Sequence, residues 1–262
     1  PPHELKAMFA RQCLPRLARI VPRQVIRTLV LRVAGMPESD LDQLISPVYK
    51  KYTNPMTTIL AAAGDIQIHF RAKTGNEADA EALLAEVAAA VEPLLGDRVY
   101  SRNGAALEVV VGGMLRERRA TVAVAESCTA GLLAERLTST PGSSDYFVGG
   151  FIAYNARMKS ELLGVSPELL EEHGAVSQAV AEAMATGARR RTGSTYGVAI
   201  TGVAGPGGGS ERTPVGLVHV ALADPQGARG VHRQFLGDRA RIRQFSVQMA
   251  LDLLRRQMTL IA

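Results

Sequence analysis

The chain has 262 residues, of which 47% are hydrophobic, with a formal net charge of +5 and no tryptophan. This length and apolar content indicate more than one packed domain, and every long apolar run is interrupted before membrane-spanning length, so we expect a cytoplasmic protein without a membrane partner. The two cysteines and five histidines show no ligand spacing, so we expect no disulfide framework, no metal site and no cofactor.

Basic residues are scattered along the chain apart from two short clusters at residues 189–191 and 239–243. Small clusters at helix ends usually complement the helix dipole or lie in solvent, so they argue against nucleic acid as a partner. A net positive charge also helps to attract a phosphorylated metabolite.

Residues 1–98 contain a short N-terminal segment and a first folding unit. Residues 1–20 open without a methionine and are expected to be the tail of an upstream domain. Residues 21–98 show strand and helix patterns in the order β-α-β-β-α, at 26–33, 39–51, 56–62, 66–72 and 76–95. This order predicts a small α+β domain, joined to the next unit near residues 96–104.

Residues 105–262 form the second predicted unit, which begins with a helix near Leu107 and a strand over residues 121–125. Further helices are expected near 128–139, 156–163, 167–173, 177–192 and 238–258, and further strands near 147–154, 196–201, 215–222 and 230–236. Helices on both faces of the strands predict a three-layer α/β/α domain. The turn at residues 224–227 predicts a hairpin, so the sheet should be mixed.

Ser127 follows the apolar strand at 121–125 and precedes an expected helix, which places its hydroxyl at a helix N-terminus. The free N–H groups and the dipole there favour negative charge, as on a phosphate or an oxyanion. Two interpretations stay open, since a serine that only caps the helix gives the same pattern. Cys128 is a rival nucleophile, because a helix N-terminus lowers the pKa of a thiol.

Lysine usage points to a base for this hydroxyl. Of the 30 basic residues five are lysine, and Lys159 is the one lysine after residue 73. Unlike arginine, a lysine can lose its proton when burial lowers its pKa, and the neutral amine can then deprotonate a serine. Tyr154, at the end of a predicted strand, could reach the same cleft, although a solvated Lys159 remains the alternative.

Residues 202–209 form a glycine-rich loop that fits neither the Walker motif nor the dinucleotide fingerprint. Backbone without Cβ atoms can approach a ligand closely, so Thr201, Gly202, Gly205 and Gly207 are predicted ligand contacts. Two arginines at the start of the last helix could pair with a phosphate, Arg239 and Arg243.

Five motifs over residues 107–258 resemble, in order, the C-terminal domain of the CinA family. They are Ala-Glu-Ser-Cys-Thr-Ala-Gly at 125–131, Tyr154 and Lys159 before Leu-Leu-Gly-Val at 162–165, Gly-Ala-Val-Ser at 174–177, Thr-Gly-Val-Ala-Gly-Pro-Gly-Gly at 201–208 with Pro-Val-Gly at 214–216, and Gly-Asp-Arg at 237–239 with Arg243. Residues 21–98 are similar to the KH-like domain of longer members. Ala130 departs from the family pattern, which more often has glycine there.

The resemblance implies an amidohydrolase domain that converts nicotinamide mononucleotide to nicotinic acid mononucleotide and ammonia. In this scheme Ser127 attacks the carboxamide, Lys159 assists and Tyr154 supports, without a cofactor. The substrate also contacts residues of the turn after Ser127, namely Thr129, Ala130 and Gly131, and the chain is expected to form a homodimer. Backbone N–H groups at the head of the predicted 128–139 helix would stabilise the oxyanion.

Two other functions stay open at this stage. One is a regulatory module that binds a pyridine nucleotide without converting it. The other is a competence protein associated with nucleic acid, although residues 33–56 lack the Gly-x-x-Gly loop of an RNA-clamping KH domain. We therefore expect the first unit to be a structural or dimerising spacer.

Overall fold

The computed structural model of the chain describes residues 2–20 and 24–260. It opens with the helices α1 (Pro2–Met8) and α2 (Leu14–Ile20), joined by a π-helical turn at Phe9–Cys13. Most side chains of residues 4–20 are exposed, and their origin in an upstream domain stays a prediction. No helix in the two described ranges is long and apolar enough to cross a bilayer.

The first unit is a four-stranded antiparallel sheet with two helices. Its strand order is β2-β3-β1-β4. The strands are β1 (Val25–Ala34), β2 (Met56–Ala62), β3 (Asp65–Thr74) and β4 (Val99–Ser101), and the helices are α3 (Glu38–Tyr49) and α4 (Glu77–Leu95). The predicted β-α-β-β-α order is confirmed. The sequence predicts no strand at β4, because three residues are too short to show a period.

Local sequence explains the elements of this unit. In β3 the alternate residues Ile66, Ile68 and Phe70 are buried, and they share a core with residues of α3 and α4. The N-cap of α4 is Asn76, whose side chain accepts a hydrogen bond of 2.9 Å from the amide of Asp79.

The second unit is built on a five-stranded sheet of order β6-β5-β7-β8-β9. The strands are β5 (Val122–Glu126), β6 (Phe147–Ile152), β7 (Tyr196–Gly202), β8 (Leu217–Asp224) and β9 (Gly227–Gln234). Strand β5 is parallel to β6 and β7, whereas β8 is antiparallel to both of its neighbours. The predicted mixed sheet is confirmed. The parallel strands bring the carboxyl ends of β5, β6 and β7 to one edge, which is where ligand sites form in such sheets.

Helices cover both faces of this sheet, so the predicted three-layer α/β/α arrangement is confirmed. One apolar core joins the sheet to α5, α6 and α10, and the other joins it to α7, α8 and α9. The helices are α5 (Leu107–Glu117), α6 (Leu132–Thr138), α7 (Ala156–Leu163), α8 (Pro167–His173), α9 (Gln178–Thr192) and α10 (Arg239–Leu260).

Helix α10 also connects the two units through polar contacts. The Arg255 guanidinium donates to the carbonyl oxygen of Asp97 at 2.8 Å, and Arg256 forms an ion pair with the Asp97 carboxylate. Both arginines also bind Asp252. The end of the first unit is therefore fixed against the last helix of the chain.

Candidate functional site

Ser127 lies in a turn of residues 127–131 that follows β5. We call it the catalytic turn, after the nucleophilic role predicted for Ser127. Its amide donates to the carbonyl oxygen of Ile200 at 3.0 Å, so the turn is attached to β7. The residue is 7% exposed, and its Oγ donates to the carbonyl oxygen of Tyr154 at 3.4 Å. A buried hydroxyl is thus placed at the carboxyl edge of the parallel strands.

The carboxylate of Glu126, which sequence reasoning missed, shapes the catalytic turn. It is fully buried and accepts hydrogen bonds of 2.9–3.0 Å from the amides of Gly131, Leu133 and Ala134. These amides belong to the first turn of α6, where a carboxylate complements the helix dipole. The clue in the sequence is a charged residue at the end of an otherwise apolar strand.

Two predictions about this region are wrong. The helix expected from residue 128 begins at Leu132, and its N-cap is Gly131 rather than Ser127. The amides at the head of α6 are also not free to stabilise an oxyanion, because Glu126 binds them. The physical reason is that residues 127–131 form a turn first, with Ala130 at φ +48° and Gly131 at φ +96°.

Two other amides of the turn remain available. Between Ser127 and Ala134, those of Cys128 and Thr129 donate to no other residue in the described part of the chain. Successive N–H groups in a turn that enters the left-handed region form concavities that bind anions. Cys128 and Thr129 therefore replace the head of α6 as the possible donors to an oxyanion.

Lys159 lies on α7 and is 1% exposed. Its Nζ donates to the carbonyl oxygen of Ala153 at 3.1 Å. Burial lowers the pKa of Lys159 from 10.5 to about 8, and the nearby Cys128 opposes that shift in part. The alternative of a solvated surface lysine is wrong, and with this pKa about a tenth of the amine is neutral at pH 7.

The structure brings Ser127 and Lys159 to one strand-to-helix connection, the one between β6 and α7. Their side chains donate to consecutive carbonyl groups, those of Tyr154 and Ala153. Within residues 24–260 no hydrogen bond joins the Ser127 and Lys159 side chains directly. A proton transfer between them therefore requires the serine to turn from Tyr154 towards the amine, or a bridging water.

Cys128 has the opposite character to the one expected from a helix N-terminus. The residue is 5% exposed, and burial raises the pKa of its thiol to about 11, although the charges of Lys159, Arg239 and Arg243 lower it in part. The prediction of a lowered pKa is wrong because desolvation exceeds these attractions. The thiol is therefore protonated at neutral pH and is the weaker nucleophile candidate.

Two arginines of α10 connect the site to the glycine-rich loop. The Arg239 guanidinium donates to the Tyr154 hydroxyl and to the Gly205 carbonyl oxygen, each at 3.0 Å. Arg243 donates to the carbonyl oxygen of Thr129 at 2.6 Å. Tyr154 itself is 55% exposed, so it lies at the open side of the cluster with Arg239.

The predicted ligand contacts of the loop have different local roles. The buried Thr201 hydroxyl donates to the Ala175 carbonyl oxygen at 2.8 Å. A Cβ at Gly202 would lie 2.8 Å from the carbonyl oxygen of Leu217, so close strand packing explains that glycine. Gly207 is exposed, and a Cβ there would have no heavy atom within 4 Å. A Cβ at Gly205 would lie 2.6 Å from Val215 Cγ1, so of the three glycines predicted as ligand contacts Gly207 is the one whose surroundings leave room for a ligand.

Two polar atoms beside the catalytic turn have no hydrogen-bond partner among the described residues. They are Thr129 Oγ1 and Arg243 Nε, and both are buried. Unpaired buried polar atoms are costly, and in an active site they are often completed by a bound molecule. No group of three or more histidine, cysteine, aspartate or glutamate side chains in ranges 2–20 and 24–260 could hold a metal ion.

Comparisons with known proteins identify the relatives of both units. Residues 104–258 match the CinA C-terminal domain, and residues 28–101 match the damage-inducible protein CinA KH domain. A CinA-like protein of Solibacter usitatus is 71% identical over 99% of this chain, and one of Koribacter versatilis is 49% identical over 98%. In both comparisons the chain spans 62% of the relative's length.

A solved structure supports the same relation for the second unit. The competence/damage inducible protein of Agrobacterium tumefaciens is 40% identical, with a TM-score of 0.55, over 57% of this chain and 92% of that protein. Family matches thus cover the α/β/α unit with its catalytic turn as well as the small α+β unit before it. On these matches, the chain belongs to the CinA family.

Proposed function

We propose that the second unit is a serine amidohydrolase that converts nicotinamide mononucleotide to nicotinic acid mononucleotide and ammonia. The observation that carries the proposal is the pairing of a buried serine with a buried lysine whose pKa is lowered to about 8, on consecutive carbonyls of one connection. This constellation fits nucleophilic catalysis at a carboxamide. The substrate identity follows from the family resemblance.

The first half of the proposed reaction forms an acyl-enzyme. Neutral Lys159 accepts the proton of Ser127, and Oγ forms a bond to the carboxamide carbon. The resulting oxyanion accepts hydrogen bonds from the amides of Cys128 and Thr129. When the C–N bond breaks, Lys159 returns the proton to the leaving nitrogen, so that ammonia departs as a neutral molecule.

The second half restores the enzyme. Lys159, again neutral, accepts a proton from water, whose oxygen attacks the acyl carbon. The bond from that carbon to Ser127 Oγ then breaks, and the proton passes back to the serine. Tyr154 is held by Arg239 at the open side of the site and can support this proton transfer.

Residues of α10 and the catalytic turn supply the partners for the phosphate of the substrate. Arg239 and Arg243 each have guanidinium N–H groups beyond those that bind protein carbonyls, since arginine carries five donors. Arg243 Nε and Thr129 Oγ1 are the unpaired buried atoms at this place. A phosphate there would pair with both guanidinium groups and would give Arg243 Nε and Thr129 Oγ1 their missing hydrogen-bond partner.

The test is to incubate the chain with nicotinamide mononucleotide, measure ammonia and identify the product by mass. We expect Ser127→Ala to reduce turnover by at least about 10³-fold, because the nucleophile is lost. The matched control is Cys128→Ala, the adjacent buried position, which should retain turnover within a few-fold. Loss of ammonia release in the cysteine variant alone would contradict the assignment.

A binding module without turnover is the second candidate. It is favoured by the absence of a direct Ser127–Lys159 hydrogen bond among the described residues and by Ala130, a non-glycine residue at φ +48° in the turn. In that case the mononucleotide would bind saturably, yet no ammonia would form with the unmodified chain.

A further inference from the structure

A cleft of about 690 Å³ lies between the first unit and the β9–α10 side of the second unit. The first unit contributes residues around Met36 and the β2–β3 turn at Gly64, and the second contributes the end of β9 and one side of α10. Binding sites for small molecules commonly have volumes of about 300–1,000 Å³ and often form between domains. We call this space the interdomain cleft.

The floor of the interdomain cleft is apolar. Phe245, Met249 and Leu253 line it from α10 at a spacing of four residues, which places them on one helix face. Phe245 stacks on Phe235 with a ring-centroid distance of 5.2 Å. Leu236, at the rim, is 83% exposed. The Arg241 guanidinium lies over the Phe245 ring, 5.4 Å from its centroid. The apolar surface left for the face of a bound ring is therefore that of Met249 and Leu253, beside the Arg241 charge.

The walls of the interdomain cleft carry an excess of positive charge. Arg98, Arg233 and Arg241 line it, are exposed, and form no ion pair with any described carboxylate. Of the two acidic side chains in the lining, Asp252 is neutralised by arginines of α10, which leaves Glu38 as the opposing charge. Arginine is the side chain best suited to a phosphate, which it can bind through two parallel N–H groups.

We propose that the interdomain cleft binds a phosphorylated molecule with a planar ring, of the mononucleotide class. The apolar floor receives the ring, and Arg233 and Arg241 receive the phosphate. This site differs from the catalytic one, because Arg239 and Arg243 of the same helix contact Gly205, Tyr154 and Thr129 instead. Residues two positions apart on a helix point to opposite sides, so variants can separate the two sites.

The experiment is equilibrium dialysis of the whole chain against adenosine monophosphate as the probe. We expect saturable binding with a Kd below about 1 mM. Arg233→Gln/Arg241→Gln should weaken it at least ten-fold, whereas Arg239→Gln should change it less than two-fold. The matched control for the loss of two charges is Arg190→Gln/Arg191→Gln, at the end of α9, which should also bind as the unmodified chain does. Urea unfolding midpoints verify that all variants are folded.

Three results would overturn the proposal. The first is an absence of saturable binding up to about 1 mM. The second is loss of binding in Arg239→Gln with retention in Arg233→Gln/Arg241→Gln, which places the probe in the catalytic site. The third is competition by adenosine alone, or by inorganic phosphate alone, that equals competition by adenosine monophosphate, since the cleft would then not recognise both parts.

Discussion

The connections after β5 and after β7 leave the same edge of one sheet, yet they differ in how they are held. In the catalytic turn, Ser127, Cys128 and Thr129 are all buried, and a fully buried carboxylate binds the amides that follow. In the glycine-rich loop, residues 206–210 are exposed. The first connection is fixed by burial and charge, and the second is open to solvent.

Under the proposed function, this difference separates chemistry from binding. A nucleophile and its base need fixed positions and a low dielectric, which lowers the pKa of an amine, and the catalytic turn and Lys159 have both. Contact with a phosphorylated ligand would need less exact positions, and the exposed loop with Arg239 would suit that role. Substitutions in the two connections should therefore have effects of different kinds.

The largest expected effect concerns Lys159, the proposed general base on α7. With a pKa of about 8 for Lys159, the neutral fraction grows as pH increases, so kcat/KM for ammonia release should increase about ten-fold per pH unit below pH 8 and level off above it. Lys159→Met should reduce kcat/KM by about 10²–10⁴-fold and remove this pH dependence. Measured pH–rate profiles check both statements.

Lys159→Arg is the control for charge in that experiment. It keeps a cation at the position but cannot supply a neutral base at these pH values. Activity near that of the unmodified chain in this variant would show that Lys159 acts only as a charge. An unchanged pH profile in Lys159→Met would assign the titration to another group.

The second effect concerns the stability of the catalytic turn. Glu126→Ala leaves three amides without their acceptor, and we expect a loss of about 3 kcal/mol in the free energy of unfolding, measured by urea denaturation. The control is Glu135→Ala, an exposed glutamate on α6, which should change stability by less than about 0.5 kcal/mol. Equal losses in the two variants would mean that Glu126 does not hold the turn.

The fold could be predicted from sequence wherever a period is long enough to read. The alternation in β3, the helical face of α4 and the hairpin after Asp224 each specify an element and its buried side. The short strand β4 could not be predicted, because its three residues gain their structure from pairing with β1.

Prediction of the candidate site was limited by burial. Ser127 could be selected from its position after an apolar strand, and Lys159 because lysine is rare in this chain. The raised pKa of Cys128 depends on burial of the thiol, which the sequence does not show. The role of Glu126 depends on amides up to eight residues away in the chain. A propensity for helix at residue 128 was overridden by this carboxylate, which fixes where α6 begins.

The third effect compares two glycines of the glycine-rich loop, one closely packed and one open. A Cβ at Gly202 would lie 2.8 Å from the Leu217 carbonyl oxygen and 2.9 Å from Val218 Cα, so Gly202→Ala should cost about 2 kcal/mol of stability. Gly207→Ala meets open space and should change stability by less than about 0.5 kcal/mol. If Gly207 contacts the substrate, its variant should instead raise KM. Comparable stability losses in both variants would contradict the distinction between a packed and an open part of the loop.

The smallest effect is a gain in the catalytic turn. Ala130 is exposed at φ +48°, a conformation that costs an alanine about 1–2 kcal/mol and a glycine almost nothing. Glycine also makes the unfolded chain more flexible, which costs about 0.4–1 kcal/mol. The first term is larger, so Ala130→Gly should stabilise the chain by about 0.5 kcal/mol in urea unfolding. The control is Ala134→Gly, inside α6. Residue 134 has helical backbone, in which glycine is less favourable than alanine, so this variant should destabilise the chain by about 1 kcal/mol. A loss of similar size in both variants would show that the turn does not hold residue 130 in the left-handed region.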